Sequence, residues 1–518
     1  MKFVNLLVRP GLPILACLLA LGGCVVNPVT GENEIGWVST EQQISIGEKN
    51  YAPAQQMQGG QYKVDKGLTV YVNEVGQRVA KHSPIDLPYE FVVLNNSVPN
   101  AWAMPGGKIA INRGLLTELD NEAELAAVLG HEVVHAAARH GAKSMERGML
   151  LQGAMLAAVL GTRNQEYAGA VLGGAQLAAG LITTKYGRDA ERESDLYGTR
   201  YLAQAGYDPN AAVTLQETFV RLSEGRQSSW LQGLFASHPP STERVQNNKA
   251  LVAQLREEGF KSTDLGRQPY LAATRRIRED APAYAAYDAA REAAGKKQWD
   301  VAAEEVSKAI RMQGAEAQFH GLRGDIRRLQ GRHQDALTNY NRAIARDDAY
   351  FGYYLGRGIA RSQLGQREPA KQDFTRSVEY LPTAVAYTEL GKIAEAEGNQ
   401  ASAARYYEAA AQAPGAASKE AIQGLMRVDL PRQPAKYVKA EVVRGNQGQP
   451  VLRVTNTTPV PVYGVRVNIL MRWAASGEQT LARDLRNVAP GRSALINLPV
   501  RQDQLLSAQA AVVSARAQ

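Results

Sequence analysis

The spacing of apolar positions changes along the chain, and each change predicts a different kind of structure. Short apolar runs typical of strands fall within residues 61–118, and the clearest cover residues 90–94 and 108–111. From residue 122 to about residue 149 the apolar positions follow the spacing of a helix instead. We therefore predict a mainly helical α+β domain in the first half of the chain.

A second helical region, residues 283–416, contains an internal repeat. Glycines recur at intervals of 34 and 33 residues, and each is followed by an alanine and then by an aromatic residue. The positions are Gly331, Ala336 and Tyr340; Gly365, Ala370 and Phe374; and Gly398, Ala403 and Tyr407. One period earlier, Lys297, Ala302 and Val306 keep this spacing in weaker form. The pattern resembles the tetratricopeptide repeat and predicts an α-helical solenoid, with a generic helical bundle as the alternative.

Residues 433–500 alternate apolar and polar side chains. Val465, Val467 and Ile469 are separated by Arg466 and Asn468, and glycines and prolines interrupt the runs. This pattern predicts a small antiparallel, β-sandwich-like domain, in which we find no candidate chemistry. The predicted boundaries are a signal segment (1–23), a first domain (24–260), a linker or helix (261–282), the repeats (283–416), a linker (417–432) and a β-rich domain (433–518).

The first 24 residues have the pattern of an export signal. Lys2 and Arg9 precede a short apolar stretch, which is followed by small residues and Cys24. The run Leu21-Gly22-Gly23-Cys24 resembles a bacterial lipobox, which implies that Cys24 is acylated and becomes the first residue of the mature chain. Residue 25 is valine and not the aspartate that resembles an inner-membrane retention signal. The resemblance therefore implies the inner leaflet of the outer membrane, on the periplasmic side, in a Gram-negative bacterium. An ordinary signal peptide is the alternative.

One further stretch, residues 149–183, is rich in Ala, Leu and Gly. Polar residues interrupt it at 162–166, and neither flank reaches the length of about 18 residues that a membrane-spanning helix needs. We predict two closely packed small-residue helices, or a cover over a hydrophobic cleft, with lipid contact as the alternative.

Composition excludes several classes of function. The chain has 518 residues and a net charge of +8, and its basic residues are dispersed, which argues against a nucleic-acid-binding protein. Both cysteines, Cys17 and Cys24, lie near the start. The folded body therefore has no disulfide, no cysteine nucleophile and no cysteine-ligated zinc.

The candidate chemistry lies in the helical segment that starts near residue 122. His131 and His135 are spaced i, i+4, so both imidazoles fall on one helical face and can reach one metal ion. Glu132 lies beside the first histidine, where it can hold a water molecule instead of the metal. Three of the seven histidines, including His140, fall within ten residues, which argues against two unrelated surface histidines.

A third ligand is needed to define the class. The metzincin pattern fails, because Ala138 and Gly141 occupy the positions of its glycine and third histidine. Downstream, Glu191 and Asp195 are again spaced i, i+4 on a predicted helix. One carboxylate can bind the metal and the other can hydrogen-bond a ligand imidazole. An exposed charged helix face is the alternative for this pair.

These motifs together resemble the HtpX / CAAX-prenyl-protease type of gluzincin zinc metallopeptidase, in its soluble lipoprotein branch. The resemblance covers about residues 25–250 and also rests on segments 27–31 (NPVTG) and 100–107 (NAWAMPGG), on His140, on segment 207–209 (YDP), and on His238, Pro239 and Arg244. It implies a zincin-type fold and one Zn²⁺ held by His131, His135 and Glu191. It also implies that Glu132 is the general base and that Asp195 is either a proton donor or a support for the ligands.

Two further sites are predicted. His238 precedes two prolines and is interpreted either as a latency gate on the fourth zinc position or as a packing residue. Asn100, Ala101, Trp102 and Ala103 are predicted to offer a strand edge that pairs with an extended substrate.

We expect a lipid-anchored periplasmic zinc endopeptidase that degrades misfolded or misassembled envelope proteins. Its repeats would recruit clients or contact the outer-membrane assembly machinery. The alternative is a non-catalytic repeat scaffold or chaperone built on a decayed protease domain.

Overall fold

The computed structural model describes residues 24–149, 180, 186–225, 238–412, 416–445, 448–473, 477–499 and 505–517. The predicted signal segment 1–23 and nearly all of the stretch 149–183 lie outside these residues. The chain divides into two compact units, Met1–Arg357 and Gly358–Gln518. In the parts of the chain described, no helix combines the length and the apolar character needed to cross a membrane.

The first unit begins with an α+β domain. Its strands are β1 (Cys24–Val26), β2 (Asn33–Ile35), β3 (Glu90–Leu94), β4 (Ala101–Met104) and β5 (Lys108–Asn112). Its helices are α1 (Thr40–Met57), α2 (Lys66–Ala80), α3 (Arg113–Glu118), α4 (Glu122–Ala137), α5 (Arg188–Gln204), α6 (Ala211–Gly225), α7 (Thr242–Glu257) and α8 (Arg267–Glu279).

Strands β3, β4 and β5 form one sheet in the order β3-β5-β4. β3 runs parallel to β5, and β4 runs antiparallel to β5 at the sheet edge. Helix α4 packs against α5, α2 and β4. The central part of the domain's hydrophobic core therefore surrounds α4, whose Leu125, Leu129 and Val133 are fully buried. The predicted strands at 90–94 and 108–111 and the helix from residue 122 are all present.

Helix α8 lies in the segment predicted as a linker or helix. Tyr270 and Ile277 are buried in the core of the first domain. The Tyr270 hydroxyl donates to the Leu116 carbonyl at 2.7 Å, and Arg278 donates to the Leu119 carbonyl at 2.6 Å. Helix α8 is thus an integral part of the first domain.

The repeats form successive helical hairpins. In the first unit these helices are α9 (Ala281–Gly295), α10 (Trp299–Met312), α11 (Ala317–Leu329) and α12 (His333–Ile344), while α13 (Phe351–Gln363) runs across the division. In the second unit they are α14 (Arg367–Tyr380), α15 (Ala384–Ala396) and α16 (Gln400–Ala411).

The phase of the predicted repeat is confirmed by the backbone. Lys297, Gly331, Gly365 and Gly398 have φ values of 58°, 76°, 72° and 75°, so each repeat turns through the left-handed region at the same position. The alanine and the larger apolar residue that follow are almost fully buried in every repeat. The weak first repeat therefore has the same turn, built around a lysine instead of a glycine.

The second unit ends in a helix, a short helical turn and two sheets. These elements are α17 (Ala416–Val428), α18 (Pro434–Tyr437), β6 (Val438–Arg444), β7 (Pro450–Asn456), β8 (Val462–Trp473), β9 (Gly477–Val488), β10 (Ser493–Asn497) and β11 (Leu505–Arg516). The antiparallel sheets β10-β7-β6 and β11-β8-β9 share one hydrophobic core, as the predicted sandwich-like domain requires.

The prediction of a linker over residues 417–432 was wrong. Most of this segment is α17, which packs on α15 and α16. Ala421 and Leu425, spaced i, i+4, are buried there together with Met426. Burial of this apolar face against α15 and α16 makes the segment part of the packed unit.

Candidate metal centre

Helix α4 places His131, Glu132 and His135 at the centre of the first domain. Its first turn is capped by Asn121, whose Oδ1 accepts from the Glu124 backbone N–H at 2.9 Å. The buried apolar face fixes the rotation of the helix. Because the two histidines lie one turn apart on this face, their Nε2 atoms are 3.0 Å apart.

Helix α5 brings a carboxylate to the same point. It approaches α4 closely at Gly198, where an added Cβ would lie 2.9 Å from the His131 backbone nitrogen. At this separation Glu191 Oε2 is 3.5 Å from His131 Nε2, and Glu191 Oε1 is 3.4 Å from His135 Nε2. The predicted set of two histidines and one glutamate is therefore brought together by two helices packed without a side chain between them.

His238 joins this group from a third segment, just before helix α7. Its side chain is buried, and its Nδ1 is 3.0 Å from Glu191 Oε1 and 3.4 Å from His131 Nε2. The next helix begins at the cap Ser241, whose hydroxyl accepts from the Arg244 backbone N–H at 3.2 Å. Four potential ligand side chains thus converge, all with donor atoms within 4.8 Å of one another.

These separations are close to those of a tetrahedral zinc site. Zinc binds imidazole nitrogen and carboxylate oxygen at about 2.0–2.2 Å, so the edges of a tetrahedron of ligand atoms measure about 3.3–3.6 Å. Five distances among the four ligand atoms or carboxylates fall between 3.0 and 3.5 Å. The donor set, three imidazoles and a carboxylate, is one that zinc prefers. These residues could hold one metal ion, and they fit Zn²⁺.

Asp195 lies outside this tetrahedron and contacts one of the candidate ligands. Its Oδ1 is 3.1 Å from His131 Nδ1, the ring nitrogen opposite the one in the cluster. Arg244 binds both of its oxygens at 2.7 Å and also lies 3.0 Å from Glu191 Oε2. Burial alone would raise the pKa of Asp195, but the charge of Arg244 and these hydrogen bonds outweigh it, so the pKa is lowered. This geometry favours the supporting role for Asp195 over that of a proton donor.

The electrostatics differ between the two glutamates. Burial would raise the pKa of Glu191, but the charge of His238 and hydrogen bonds from the histidines outweigh it and hold the pKa well below its usual range. For Glu132 burial dominates, and its pKa is raised despite His238 and His131. A carboxylate with a raised pKa accepts a proton more readily, which suits a general base.

A cavity of about 40 Å³ adjoins His131 and Glu132. Its lining includes the apolar side chains of Val128, Leu215 and Phe219, and Ala101 of β4 also lines the cavity. Glu132 Oε2 is buried and has no hydrogen-bond partner among the residues that are described. The cavity is large enough for a water molecule beside this oxygen.

The predicted substrate strand lies beside this cavity. Ala101, Trp102 and Ala103 belong to β4, and Asn100 directly precedes it. Its ladder with β5 uses one edge of β4, which is the last strand of the sheet. An edge strand offers backbone N–H and C=O groups to an extended peptide.

Comparison with known proteins agrees with this site. Residues 68–252 match the model of peptidase family M48, a span that includes His131, Glu132, His135, Glu191 and His238. The chain is similar to the beta-barrel assembly-enhancing protease of Escherichia coli (strain K12), with 30% identity over 227 residues, covering 40% of this chain and 46% of that protein. The resemblance predicted from the sequence motifs is thereby confirmed.

Two other relatives share the M48 segment. The chain is 34% identical over 168 residues to the metalloprotease YcaL of Escherichia coli (strain K12), covering 32% of this chain and 63% of that protein. It is 36% identical over 181 residues to the mitochondrial metalloendopeptidase OMA1 of Schizosaccharomyces pombe, covering 34% of this chain and 51% of that protein. The chain spans about half the length of the beta-barrel assembly-enhancing proteases that it matches. For the Escherichia coli protein the covered share is 46%.

The sequence pattern does not predict a role for Arg244 or Tyr186 in the site. Arg244 was noted only as a motif residue of the resemblance, yet it binds both Glu191 and Asp195. Tyr186 stacks on the His135 ring, with centroids 4.0 Å apart and planes at 23°. An arginine and a tyrosine in polar surroundings carry no spacing signal, so only the fold could place them here.

Proposed function

We propose that the chain is a zinc-dependent endopeptidase. The observation that supports this most strongly is the set of ligand separations between 3.0 and 3.5 Å among His131, His135, Glu191 and His238. In this proposal His131, His135 and Glu191 hold the zinc, and Glu132 lies next to them without belonging to the ligand set. When bound, zinc polarises the scissile carbonyl and makes a water molecule more acidic.

Glu132 is proposed as the general base. Its unpartnered, buried Oε2 can accept a proton from water in the adjoining cavity and then donate it to the leaving amine. Asp195 and Arg244 are proposed to position the site. Asp195 fixes the orientation of the His131 ring, and Arg244 neutralises two buried carboxylates.

The substrate is proposed to be an extended polypeptide that pairs with the outer edge of β4. Backbone pairing of this kind does not depend on side-chain identity, so it favours unfolded clients over one defined sequence. The apolar lining formed by Val128, Leu215 and Phe219 would then give a preference for a small apolar side chain next to the cleaved bond.

His238 is proposed as a latency gate. A catalytic zinc site keeps one position for water or substrate. His238 Nδ1, 3.0 Å from Glu191 Oε1 and 3.4 Å from His131 Nε2, is proposed to fill that position. The side chain must therefore leave before a peptide can be cut. Opening the gate costs one imidazole contact at the metal centre. Binding of a client elsewhere on the chain can offset this cost and shift the equilibrium from the closed to the open state.

The biological role proposed is envelope quality control from the periplasmic face of the outer membrane, with anchoring through acylated Cys24. Two features support it: the lipobox-like segment ending at Cys24 and the similarity to relatives named beta-barrel assembly-enhancing protease. The repeats would gather clients or contact assembly machinery. In the first unit they are fixed to the peptidase domain by Lys63–Asp347 at 2.6 Å and Asn95–Glu316 at 3.0 Å, so a client on the repeats is held near the site.

The test of the chemistry is Glu132→Gln, with Glu74→Gln on the exposed face of α2 as the matched control. We expect Glu132→Gln to keep stoichiometric zinc and to lose casein cleavage by about 10²–10⁴-fold, because it removes the base and leaves the ligands intact. The control should cleave like wild type. Near-normal cleavage by Glu132→Gln, or absence of zinc from the wild type, would overturn the proposal and favour a non-catalytic scaffold.

The gate is tested by His238→Ala at equal zinc occupancy. We expect faster casein turnover and more self-cleavage than in wild type, with unchanged zinc content, because three ligands remain. Unchanged or slower turnover would make His238 a packing or substrate-binding residue.

Cys24→Ala tests the anchor. We expect the unlipidated variant to fractionate with soluble periplasmic proteins, since the acyl chains supply the membrane affinity. A signal-cleaved form that stays with the membrane would indicate attachment through another segment, such as residues 149–183.

A further inference from the structure

The far side of the His135 ring leads into a chain of buried polar groups outside the ligand set. His135 Nε2 faces the ligand cluster, and its Nδ1 lies 2.8 Å from Nδ1 of His140. His140 is only 3% exposed. An imidazole that offers its Nε2 lone pair to a metal carries its proton on Nδ1, so His135 donates to His140.

The chain continues from His140 to the N-terminal arm, residues 24–38. His140, having accepted on Nδ1, carries its own proton on Nε2, which is 3.6 Å from Glu193 Oε2. This separation is longer than a hydrogen bond, and His140 Nε2 has no hydrogen-bond partner among the described residues, so the two groups interact through the N–H dipole and the carboxylate charge. Glu193 Oε1 in turn accepts from Asn27 Nδ2 at 2.8 Å. Two side chains, His140 and Glu193, thus connect His135 to Asn27, a residue more than 100 positions earlier in the chain.

Asn27 is itself held in one orientation. It is fully buried, and its Oδ1 accepts from the Val29 backbone N–H at 2.9 Å. Its backbone closes the turn, with Asn27 N–H donating to the Glu32 carbonyl and the Gly31 N–H donating to the Asn27 carbonyl, both at 2.8 Å. Gly31 has φ of 74°, which glycine adopts readily. The 27–31 turn therefore aims the side-chain amide of Asn27 at Glu193.

The rest of the arm is fastened to residues that follow α4. The Arg139 guanidinium donates to the Val38 carbonyl at 2.9 Å, and Glu146 Oε1 accepts from the Trp37 and Val38 backbone N–H groups at 2.9 and 2.8 Å. Lys143 binds Glu34 at 2.7 Å. The arm is thus built into the domain directly behind His135.

We propose that the 27–31 turn belongs to the outer shell of the metal centre. Through Glu193 and His140 it fixes the His135 ring so that Nε2 faces the cluster and the proton stays on Nδ1. Asn27, Glu193 and His140 are positioning residues in this scheme, since none of them belongs to the ligand set and His140 contacts His135 only at Nδ1. The inference rests on the proposed zinc site. It adds that residues close to the proposed lipid attachment point control how tightly this site binds zinc.

The decisive comparison is His140→Leu against His140→Asn in the full chain. The two substitutions have nearly the same shape, but only asparagine supplies an acceptor near the position of Nδ1. The probe is Zn²⁺ alone, titrated in competition with a chromophoric chelator. We expect the dissociation constant to rise about 10–100-fold in His140→Leu and to recover most of that loss in His140→Asn.

A second pair of variants tests the link to the arm. Asn27→Asp keeps the acceptor that forms the turn but replaces the donor to Glu193 with a carboxylate, and Glu32→Gln on the exposed part of the same turn is the control. We expect weaker zinc binding only in Asn27→Asp. Nitrogen-15 NMR of labelled histidines gives an independent signature, because loss of the contact should shift His135 toward a mixture of tautomers.

The outcomes separate this inference from the proposed function. If the wild type binds stoichiometric zinc and cleaves casein while His140→Leu and Asn27→Asp bind zinc within twofold of wild type, the inference is overturned and the peptidase proposal stands. If the wild type binds no zinc, both are overturned. Weaker binding in His140→Leu with recovery in His140→Asn supports the inference, including in the event that Asn27→Asp does not fold.

Discussion

Gly198→Ala tests whether the close contact of helices α4 and α5 sets the metal geometry. The added Cβ would lie 2.9 Å from the His131 backbone nitrogen, 3.0 Å from the Gly130 carbonyl carbon and 3.1 Å from the His131 Cα. These are backbone atoms, which cannot rotate away as a side chain can. Ordinary van der Waals contact starts at 3.4 Å, so the helices must separate by about 0.5 Å.

That displacement acts directly on the ligand set, because Glu191 lies on α5 and His131 and His135 lie on α4. Metal–ligand distances tolerate changes of only about 0.2 Å, so we expect clearly weaker zinc binding. Overpacking costs about 1–3 kcal/mol, and the better helix propensity of alanine offsets about 1 kcal/mol of it. We therefore expect a net loss of up to about 2 kcal/mol in the free energy of local opening.

Gly295→Ala is the matched control. Gly295 is also helical, and an added Cβ there meets nothing within 4 Å. We expect it to be neutral or to gain about 0.5–1 kcal/mol. The assay is amide hydrogen exchange over residues 122–137 and 188–204, together with zinc affinity. Equal protection and equal zinc affinity in the two variants would refute the argument that the helix contact at Gly198 sets the site.

Three further predictions concern charge, pH and the repeat turns. Arg244→Met should lower the stability of the zinc-free protein by about 3–5 kcal/mol in thermal or urea unfolding, because it leaves buried carboxylates without their cation, and Arg244→Lys should recover part of this. Burial lowers the pKa of His320 to about 4, and its Nδ1 is buried without a partner among the described residues. The unfolded chain then binds more protons, so stability should fall by about 2 kcal/mol between pH 7.5 and 5 and continue to fall toward pH 4. His320→Gln, which keeps a donor for the Gly314 carbonyl, should flatten this profile, and an unchanged profile would contradict the assignment. Lys297→Gly should raise the melting temperature of the first unit, since lysine at φ of 58° is strained by about 1–2 kcal/mol, whereas Gly331→Ala should lower it.

Much of the candidate site could be predicted from the sequence because its first two candidate ligands are local. His131 and His135 are one helical turn apart, so any sequence that forms this helix places them together. The same holds for Glu191 and Asp195 on α5. Spacing left open which of the two carboxylates binds and which supports. The structure favours Glu191 as the ligand, because it faces Nε2 of both histidines, whereas Asp195 faces Nδ1 of His131.

The repeats were predictable for a similar reason. A period of about 34 residues requires the same helix contacts in each unit, so glycine, alanine and aromatic positions recur wherever the turn and the packing recur. Lys297 adopts the same backbone conformation as the glycines of the later repeats. Packing of the helical hairpin therefore fixes this turn even where the residue is not glycine.

The sequence by itself thus determined the elements whose residues are neighbours along a helix or strand, together with the ligand pair that depends on them. Only the tertiary structure decided the contacts that join distant segments. His238 reaches His131 across 107 positions, and Asn27 reaches Glu193 across 166. Such contacts leave no periodic pattern in the sequence. They form only when α4, α5 and the N-terminal arm pack together, which closes the long loops between these segments. The helix over 416–428 was likewise decided by the neighbours that cover its apolar face.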